Sequence, residues 1–108
     1  MATSESKRLV EFGRRADLDL VENHEYTAAH WGERQAEQYT QFLLDTAQGV
    51  ADAEVFSRPL DGSTTARVAF AKWPKARYGH YIVFRPNDEG IFVLRVLHSA
   101  MDIARHLE

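Results

Sequence analysis

The sequence contains no cysteine, and it holds only three proline and two methionine residues. The absence of cysteine excludes a disulfide framework and any metal site built on thiolates. There is no Gly-rich phosphate loop and no nucleophile elbow. The spacing of His30, His98 and His106 matches no metal-binding pattern. We therefore expect neither a metal nor any other cofactor.

The beginning of the chain lacks an apolar run. The segment Met1–Lys7 is polar and nothing apolar of any length follows it, which argues against a signal peptide and a membrane span. We therefore expect a cytoplasmic protein without membrane contacts. Its 108 residues suit one domain over 1–108, with residues 1–6 as a flexible terminus.

Charge is spread unevenly along the chain, whose net charge is −3. Residues 1–66 hold six of the 13 basic residues and 12 of the 16 acidic ones. Between Arg67 and Arg85 there are five basic residues and no acidic one. Such asymmetry often marks a face for a charged partner, although chance clustering on a solvated surface explains it equally well.

Two helices are predicted in the first half of the chain. A helical stripe runs through 14–30 and is interrupted by the polar residues Asn23 and His24. Gly32 ends this helix and Glu33 begins the next, so the two form an antiparallel hairpin. The first stripe comprises Ala16, Leu20 and Thr27, with Val21 and Tyr26 beside them; the second, more regular stripe comprises Ala36, Tyr39, Leu43, Ala47 and Val50.

Strand-like runs fill the second half. Residues 55–66 read as a loop, and a turn at Asn87–Gly90 joins two apolar runs as a hairpin. The three predicted strands are Arg67–Trp73, with Val68, Phe70 and possibly Lys72 on one side, His80–Arg85 and Ile91–Leu97. A further segment, 7–12, is either a first strand or an irregular segment that precedes the first helix.

A short terminal helix over 99–107 completes the order (β)ααβββ(α). Ser99 is its predicted N-cap, with Asp102 in the capping-box position. A helical hairpin that lies on one face of a small antiparallel sheet buries both apolar surfaces. The predicted fold class is therefore α+β.

Several strings resemble one protein family, the RelE/ParE toxin superfamily, and its ParE-like branch in particular. The last strand and the turn after it, Gly90–Asp102 (GIFVLRVLHSAMD), carry the most specific likeness. The central strand Gly79–Arg85 (GHYIVFR) is also similar. So are three strings of the helical part: Ala16-x-x-Asp19-Leu20, Tyr26–Gly32 (YTAAHWG) and Gln35-Ala36-x-x-Tyr39. The likeness spans about residues 7–107, matches poorly over 55–78, and has Asn23 where the family usually has an apolar residue.

The resemblance implies a βααβββ fold and a role as toxin of a type II toxin–antitoxin system. In this family the C-terminal segment of a cognate antitoxin wraps the toxin and neutralises it, so a hetero-oligomer is expected. ParE-like members poison DNA gyrase, whereas RelE-like relatives cut messenger RNA on the ribosome. A degenerate relative that binds its antitoxin but poisons nothing is the third alternative.

The nuclease alternative requires an acid, a base and cations around one phosphate. His98, Arg95, Arg85 and Arg77 are its candidate residues, with His80 and Tyr78 as further suitable types. No string fixes these residues around one phosphate, and an acidic protein suits ribosomal RNA poorly. We therefore favour a non-enzymatic binding protein without sequence-specific contacts to nucleic acid.

An antitoxin is expected to contact the basic part of the chain. Cations there steer an acidic tail, and aromatic residues among them anchor it. The predicted partner-binding residues are Arg67, Lys72, Trp73, Lys75, Arg77, Tyr78 and Arg85.

Five residues of the motif have structural interpretations as well. Arg95 lies in an apolar strand and needs a buried partner, for which Asp102, Glu22 and Glu25 are candidates. His80 alternates with Ile82 and Phe84, which indicates a core-facing ring. His98 can bond backbone at the end of its strand, while Ser99 and Asp102 are expected to cap a helix.

Overall fold

The computed structural model describes residues 7–107, so the predicted flexible terminus at 1–6 lies outside the described residues. The predicted order of helices and strands is confirmed, and one short strand is added within the predicted loop at 55–66. The elements are β1 (Leu9–Phe12), α1 (Arg14–Trp31), α2 (Glu33–Ala51), β2 (Arg58–Pro59), β3 (Arg67–Ala71), β4 (His80–Pro86), β5 (Gly90–His98) and α3 (Ile103–His106).

The five strands form one sheet in the order β1-β5-β4-β3-β2. Strands β2 to β5 are antiparallel to their neighbours, as predicted, but β1 pairs with β5 in parallel, from Leu9 opposite Gly90 to Phe12 opposite Val93. The sheet is therefore mixed rather than purely antiparallel. The long intervening chain, which includes both helices, provides the crossover that a parallel pair requires.

The helical hairpin covers one face of this sheet, here called the helix-covered face. The predicted stripe of α2 is buried at every position, which confirms that pattern. On α1, Ala16 and Thr27 are buried, but Val21 and Tyr26 are exposed by 52% and 61% and do not belong to the core. The sheet contributes Ala69, Ala71, Ile82, Phe84, Ile91, Val93 and Val96 to the same core.

His24 explains one of the two polar interruptions in the α1 stripe. Its Nδ1 lies 2.9 Å from Oγ1 of Thr40, and its Nε2 lies 2.8 Å from Oε2 of Glu33. Both partners belong to α2, so this ring joins the two helices of the hairpin. Asn23, the other interruption, makes no such bond.

The opposite side of the sheet, here called the loop-covered face, is covered by irregular chain. Val68, Val83 and Leu97 are buried on this side. Leu60 from the loop before β3 and Ile103 and Leu107 from the chain end line a cavity of about 340 Å³ with Tyr81 of β4. Phe70 shares the face with Val68 but is exposed by 47%, and Lys72 lies outside the strand, which ends at Ala71.

Two polar side chains organise the chain after β5. The predicted N-cap Ser99 is wrong, because α3 is shorter than expected and begins at Ile103. Asp102 is the N-cap, and its Oδ1 accepts a hydrogen bond of 3.1 Å from the Ala104 amide. The Oγ of Ser99 instead accepts from the amide of Gly79, and the Ser99 amide donates to the Gly79 carbonyl. Ser99 therefore ties the end of β5 to the start of β4.

Candidate functional site

A bidentate ion pair that is largely shielded from solvent joins α1 to β5. Nε and Nη2 of Arg95 donate to the two carboxylate oxygens of Asp19 at 2.8 and 2.9 Å. The two side chains are only 11% and 10% exposed. Asp19 also accepts a 2.8 Å hydrogen bond from the Val96 amide, and Nη1 of Arg95 donates to the His106 carbonyl at 2.7 Å.

The partner of Arg95 is thus Asp19, and the predicted partners Asp102, Glu22 and Glu25 are wrong. Asp19 raises the pKa of Arg95, chiefly through the hydrogen bonds between the side chains. With every nitrogen of its guanidinium bonded, Arg95 is a structural cation that joins α1, β5 and α3.

A file of aromatic rings crosses the end of the sheet where β4 begins and β5 ends. Neighbouring ring centroids are 4.9 Å apart from Trp73 to Tyr39, and 5.4 Å apart from Tyr39 to His80, from His80 to His98 and from His98 to Tyr78. Two of these residues, His80 and His98, lie directly opposite each other on neighbouring strands. The sequence pattern does not predict that the ring of Tyr39, a residue of α2, lies between those of Trp73 and His80.

Burial changes the acid–base properties of this file. It lowers the pKa of His80 to about 4, with a further lowering by His98, and it raises the pKa of Tyr39 to about 12. Both groups are therefore neutral at pH 7. The Tyr39 hydroxyl lies 2.7 Å from Nδ1 of His80, and the two groups share a hydrogen bond.

The structure does not bring the nuclease candidates around one phosphate. His98 and Arg77 lie at one end of the sheet, where the Arg77 guanidinium sits 5.6 Å from the centre of the Tyr78 ring. Arg85 lies at the far end of β4, in a cavity of about 530 Å³ that Arg95 also lines. The same cavity is lined by Arg15 and His106, whereas His98 and Arg77 do not reach it, so the four candidate residues do not share one cavity.

The predicted partner-binding residues also fall into separate groups. Arg67 donates to the carbonyl and hydroxyl of Ser57, and Nζ of Lys72 donates to three carbonyls in the turn after β3. Trp73 packs against the core. Lys75, Arg77 and Tyr78 are exposed in the turn between β3 and β4, while Arg85 is exposed at the opposite end of the sheet. They do not form one surface.

An apolar patch at the outer edge of β3 was not predicted. β2 pairs only with Arg67 and Val68, so the edge over 69–71 has no paired strand among residues 7–107. Phe56, exposed by 84%, and Phe70 line a shallow cavity of about 200 Å³ at this edge. An isolated aromatic residue in a loop such as Phe56 gives no periodic signal, which is why the patch escapes a reading based on spacing.

Neither a metal-binding group of side chains nor a membrane-spanning helix is present among the described residues 7–107. No group of three or more histidine, aspartate or glutamate side chains lies close enough to hold a metal ion. Neither long helix in this range is apolar enough to cross a membrane.

A helical hairpin on a mixed sheet with an unpaired, apolar strand edge defines a small α+β domain suited to binding another polypeptide. The chain belongs to the family described as the ParE toxin of type II toxin–antitoxin systems (parDE), whose family model matches residues 10–103. It is 28% identical to Toxin ParE1 of Caulobacter vibrioides over 94 residues. The aligned residues make up 87% of this chain and 92% of that protein.

A solved structure shares the fold. The chain resembles a protein from a chromosomal ParDE TA system of P. aeruginosa with a TM-score of 0.59 and 17% identity. The likeness covers 84% of this chain and 95% of that one. The resemblance to ParE-like toxins and the fold, both predicted from the sequence, are therefore confirmed.

Proposed function

We propose that this ParE-type toxin is held inactive by a cognate antitoxin and, when released, poisons DNA gyrase in the cytoplasm. The match of residues 10–103 to the ParE toxin family carries this proposal. The apolar patch at the edge of β3 supports the part that concerns the antitoxin. An unpaired strand edge accepts an added strand from an extended partner, and flanking aromatic side chains anchor it.

Charge supports the same edge as the antitoxin site. Lys75 and Arg77 follow β3 in an exposed turn, and no acidic residue lies between Arg67 and Arg85. An acidic antitoxin tail that adds to β3 would end beside these cations, which favours association at low salt. Of the residues proposed from the sequence, Lys75, Arg77 and Tyr78 therefore stay with the partner site.

The antitoxin part is tested by expression with and without the protein encoded by the adjacent reading frame. The toxin alone should arrest growth, and co-expression should restore it. Phe56→Ser should weaken the complex about tenfold or more in a titration, because an exposed aromatic anchor is lost. The control Leu18→Ser, which changes a half-exposed residue of α1, should leave the affinity unchanged. Equal loss in both variants would contradict a site at the β3 edge.

The target is tested with purified gyrase. The toxin should inhibit supercoiling and trap broken DNA at doses that arrest growth, and added antitoxin should reverse both effects. Normal supercoiling at those doses would refute gyrase as the target. Cut messages in the arrested cells would point to the ribosome-dependent nuclease instead, and harmless expression would point to the degenerate relative.

A further inference from the structure

Two arginines that have no counter-ion in the described chain line one cavity on the loop-covered face. Arg15 lies in the first turn of α1, and Arg85 lies near the end of β4. Both residues are exposed, and both line the cavity of about 530 Å³. Neither belongs to an ion pair within residues 7–107. They are distant in the sequence, so the fold rather than a run of basic residues brings them to one place.

The lining of this cavity, here called the cationic cavity, is positive overall. It includes a third guanidinium, that of Arg95, but Asp19 neutralises that charge. Asp61 is the one carboxylate that lines it within residues 7–107. Like charges that share a cavity repel each other, and an anion held between Arg15 and Arg85 relieves this repulsion. The charges of the lining therefore suit an anionic ligand.

The size and the apolar walls of the cationic cavity indicate more than a bare ion. Guanidinium groups present paired N–H donors that match the two oxygens of a carboxylate. A volume of about 530 Å³ exceeds what such a group fills, and it lies in the range of about 300–1,000 Å³ that is typical of ligand sites. Leu60, Leu94 and Leu107 add apolar surface to the lining. The cavity therefore has room for an anionic group together with the apolar chain that carries it.

Two further cavities continue from the cationic cavity along the loop-covered face. The first, of about 340 Å³, shares four lining residues with it: Leu60, Asp61, Ala104 and Leu107. The second, of about 200 Å³, shares Tyr81 with the first and is also lined by Phe56 and Phe70. The shared walls make one groove, which runs from the apolar patch at the β3 edge to the two arginines.

This groove suits a polypeptide better than a nucleic acid. A nucleic acid carries a phosphate at every nucleotide, so proteins hold it with a track of several cations. Here Arg15 and Arg85 lie together at one end. In the rest of the groove Arg58 is the one cation among residues 7–107, and Asp61 and Asp102 lie beside it. A polypeptide, in contrast, can place a single carboxylate next to several apolar side chains.

We propose that the cationic cavity binds an acidic side chain of a partner polypeptide, whose neighbouring apolar side chains lie in the adjoining groove. Arg15 and Arg85 hold the carboxylate. Asp61 favours a singly charged carboxylate over a phosphate monoester, because it repels a second negative charge. Naming the antitoxin as the polypeptide that carries this side chain rests on the proposed function, and it extends the antitoxin site from the β3 edge across the loop-covered face.

The test uses NMR titration of the isotopically labelled full chain with two capped tripeptides, Ac-Leu-Glu-Leu-NH2 and its neutral match Ac-Leu-Gln-Leu-NH2, at constant ionic strength. The glutamate peptide should shift the Nε–H signals of Arg15 and Arg85 and the backbone amide signal of Gly62, which also lines the cavity. It should bind about fivefold to tenfold more tightly than the glutamine peptide, because a hydrogen bond between charged groups is stronger than one to a neutral amide.

Three variants and a matched control assign the preference to the cavity. Arg15→Gln and Arg85→Gln should each reduce the preference for glutamate to about twofold or less, because each removes a cation. Asp61→Asn should tighten binding of the glutamate peptide about twofold or more, because it removes a repelling charge. The control Arg14→Gln makes the same charge change at an exposed neighbour that does not line the cavity, and it should keep the full preference. Unchanged melting temperatures would show that the variants fold.

A short single-stranded oligothymidylate is the third ligand, and it should bind more weakly than the glutamate peptide. Three results would overturn the proposal: equal binding of the two peptides, an unchanged preference in Arg85→Gln, or tighter binding of the oligothymidylate, which would assign the cavity to nucleic acid. These titrations involve neither antitoxin nor gyrase. Their failure would therefore leave the proposed function standing, and a failure of the growth or supercoiling assays would leave the carboxylate site standing.

Discussion

The two faces of the sheet bury their side chains equally well under very different covers. Ile82 on the helix-covered face and Leu97 on the loop-covered face are each only 1% exposed. The first lies under the regular hairpin of α1 and α2. The second is paired with Tyr81, which lines the cavity formed with Leu60, Ile103 and Leu107. Regular helices fill the space above a sheet, whereas irregular chain leaves gaps.

Two sizeable gaps lie on the loop-covered side of the sheet. Cavities of about 530 and 340 Å³ lie under α3 and the loop before β3. The helix-covered face is therefore expected to be the more tightly packed of the two. Arg95 connects both, since it bonds to Asp19 of α1 and to the His106 carbonyl of α3.

The largest expected change in stability comes from breaking the Asp19–Arg95 ion pair. Asp19→Asn leaves the Arg95 guanidinium buried without its counter-ion, and it should lower the free energy of unfolding by about 3–5 kcal/mol. Urea denaturation measures the loss. Asp17→Asn, which changes an exposed acid in the first turn of the same helix, is the control and should cost less than about 0.5 kcal/mol. A comparable loss in the control would refute the importance of the pair.

The difference between the covers is tested by matched cavities. Leu43→Ala, in α2, should cost about 3–4 kcal/mol, because the hairpin and the sheet packed around this side chain cannot collapse into the space. Leu97→Ala should cost about 2 kcal/mol, because the looser chain beside it relaxes. Both values come from urea denaturation under the same conditions. If Leu97→Ala proves the more costly, the loop-covered face is the more rigid one and the comparison fails.

A smaller effect should appear on acidification, at the margin of both faces. Burial lowers the pKa of His80 in the folded state to about 4 from its ordinary value of 6.5, so between these two pH values the unfolded state binds more protons. The contribution of His80 to the free energy of unfolding is complete above about pH 6.5 and is lost as the pH is lowered toward 4. The loss between pH 7 and pH 5 should be about 2 kcal/mol.

The pH effect is assigned to the histidine by comparison with His80→Phe. This variant loses the bond to Tyr39 but should show a flatter profile of unfolding free energy between pH 7 and pH 5. His30→Gln, which changes an exposed histidine of α1, is the control and should retain the original profile. An unchanged slope in His80→Phe would assign the effect to another group.

The smallest effect is expected at α3. Asp102→Ala removes the N-cap of a four-residue helix with no buried residue, so its cost should stay below about 1 kcal/mol. Faster hydrogen exchange at the Ala104 amide, with no change at the amides of β4, would show local fraying. A loss of global stability would indicate that α3 holds the loop-covered face together more firmly than its exposure suggests.

The helix-covered face could be predicted from the sequence because its pattern is periodic. Ala36, Tyr39 and Leu43 repeat at helical spacing, and the apolar runs of β4 and β5 indicate covered strands. The parallel pairing of β1 could not be predicted, since its partner lies about 80 residues away. β2 could not be predicted either, because a strand of two residues, one of them a proline, shows no alternation of apolar and polar side chains.

The site was less predictable, for reasons of geometry. Asp19 and Glu22 lie three residues apart on one helix, so spacing alone cannot decide which of them meets Arg95. A usable signal exists: Asp19 directly precedes Leu20 of the buried stripe, and Arg95 lies in an apolar strand. A charge in an apolar strand needs a counter-ion, and an acid next to the apolar stripe of a helix is a candidate for it. The predicted basic surface failed because Arg67 and Lys72 bond to nearby backbone, which charge counting does not reveal.

The parallel pairing of β1 with β5 determines when the molecule can assemble during its synthesis. Leu9 to Phe12 find their strand partner only at Gly90 to Val93. The first strand of the sheet thus stays unpaired until residue 93 has left the ribosome, and contacts so distant in sequence form slowly. The edge of the sheet that β1 forms is therefore completed only after most of the chain has been synthesised.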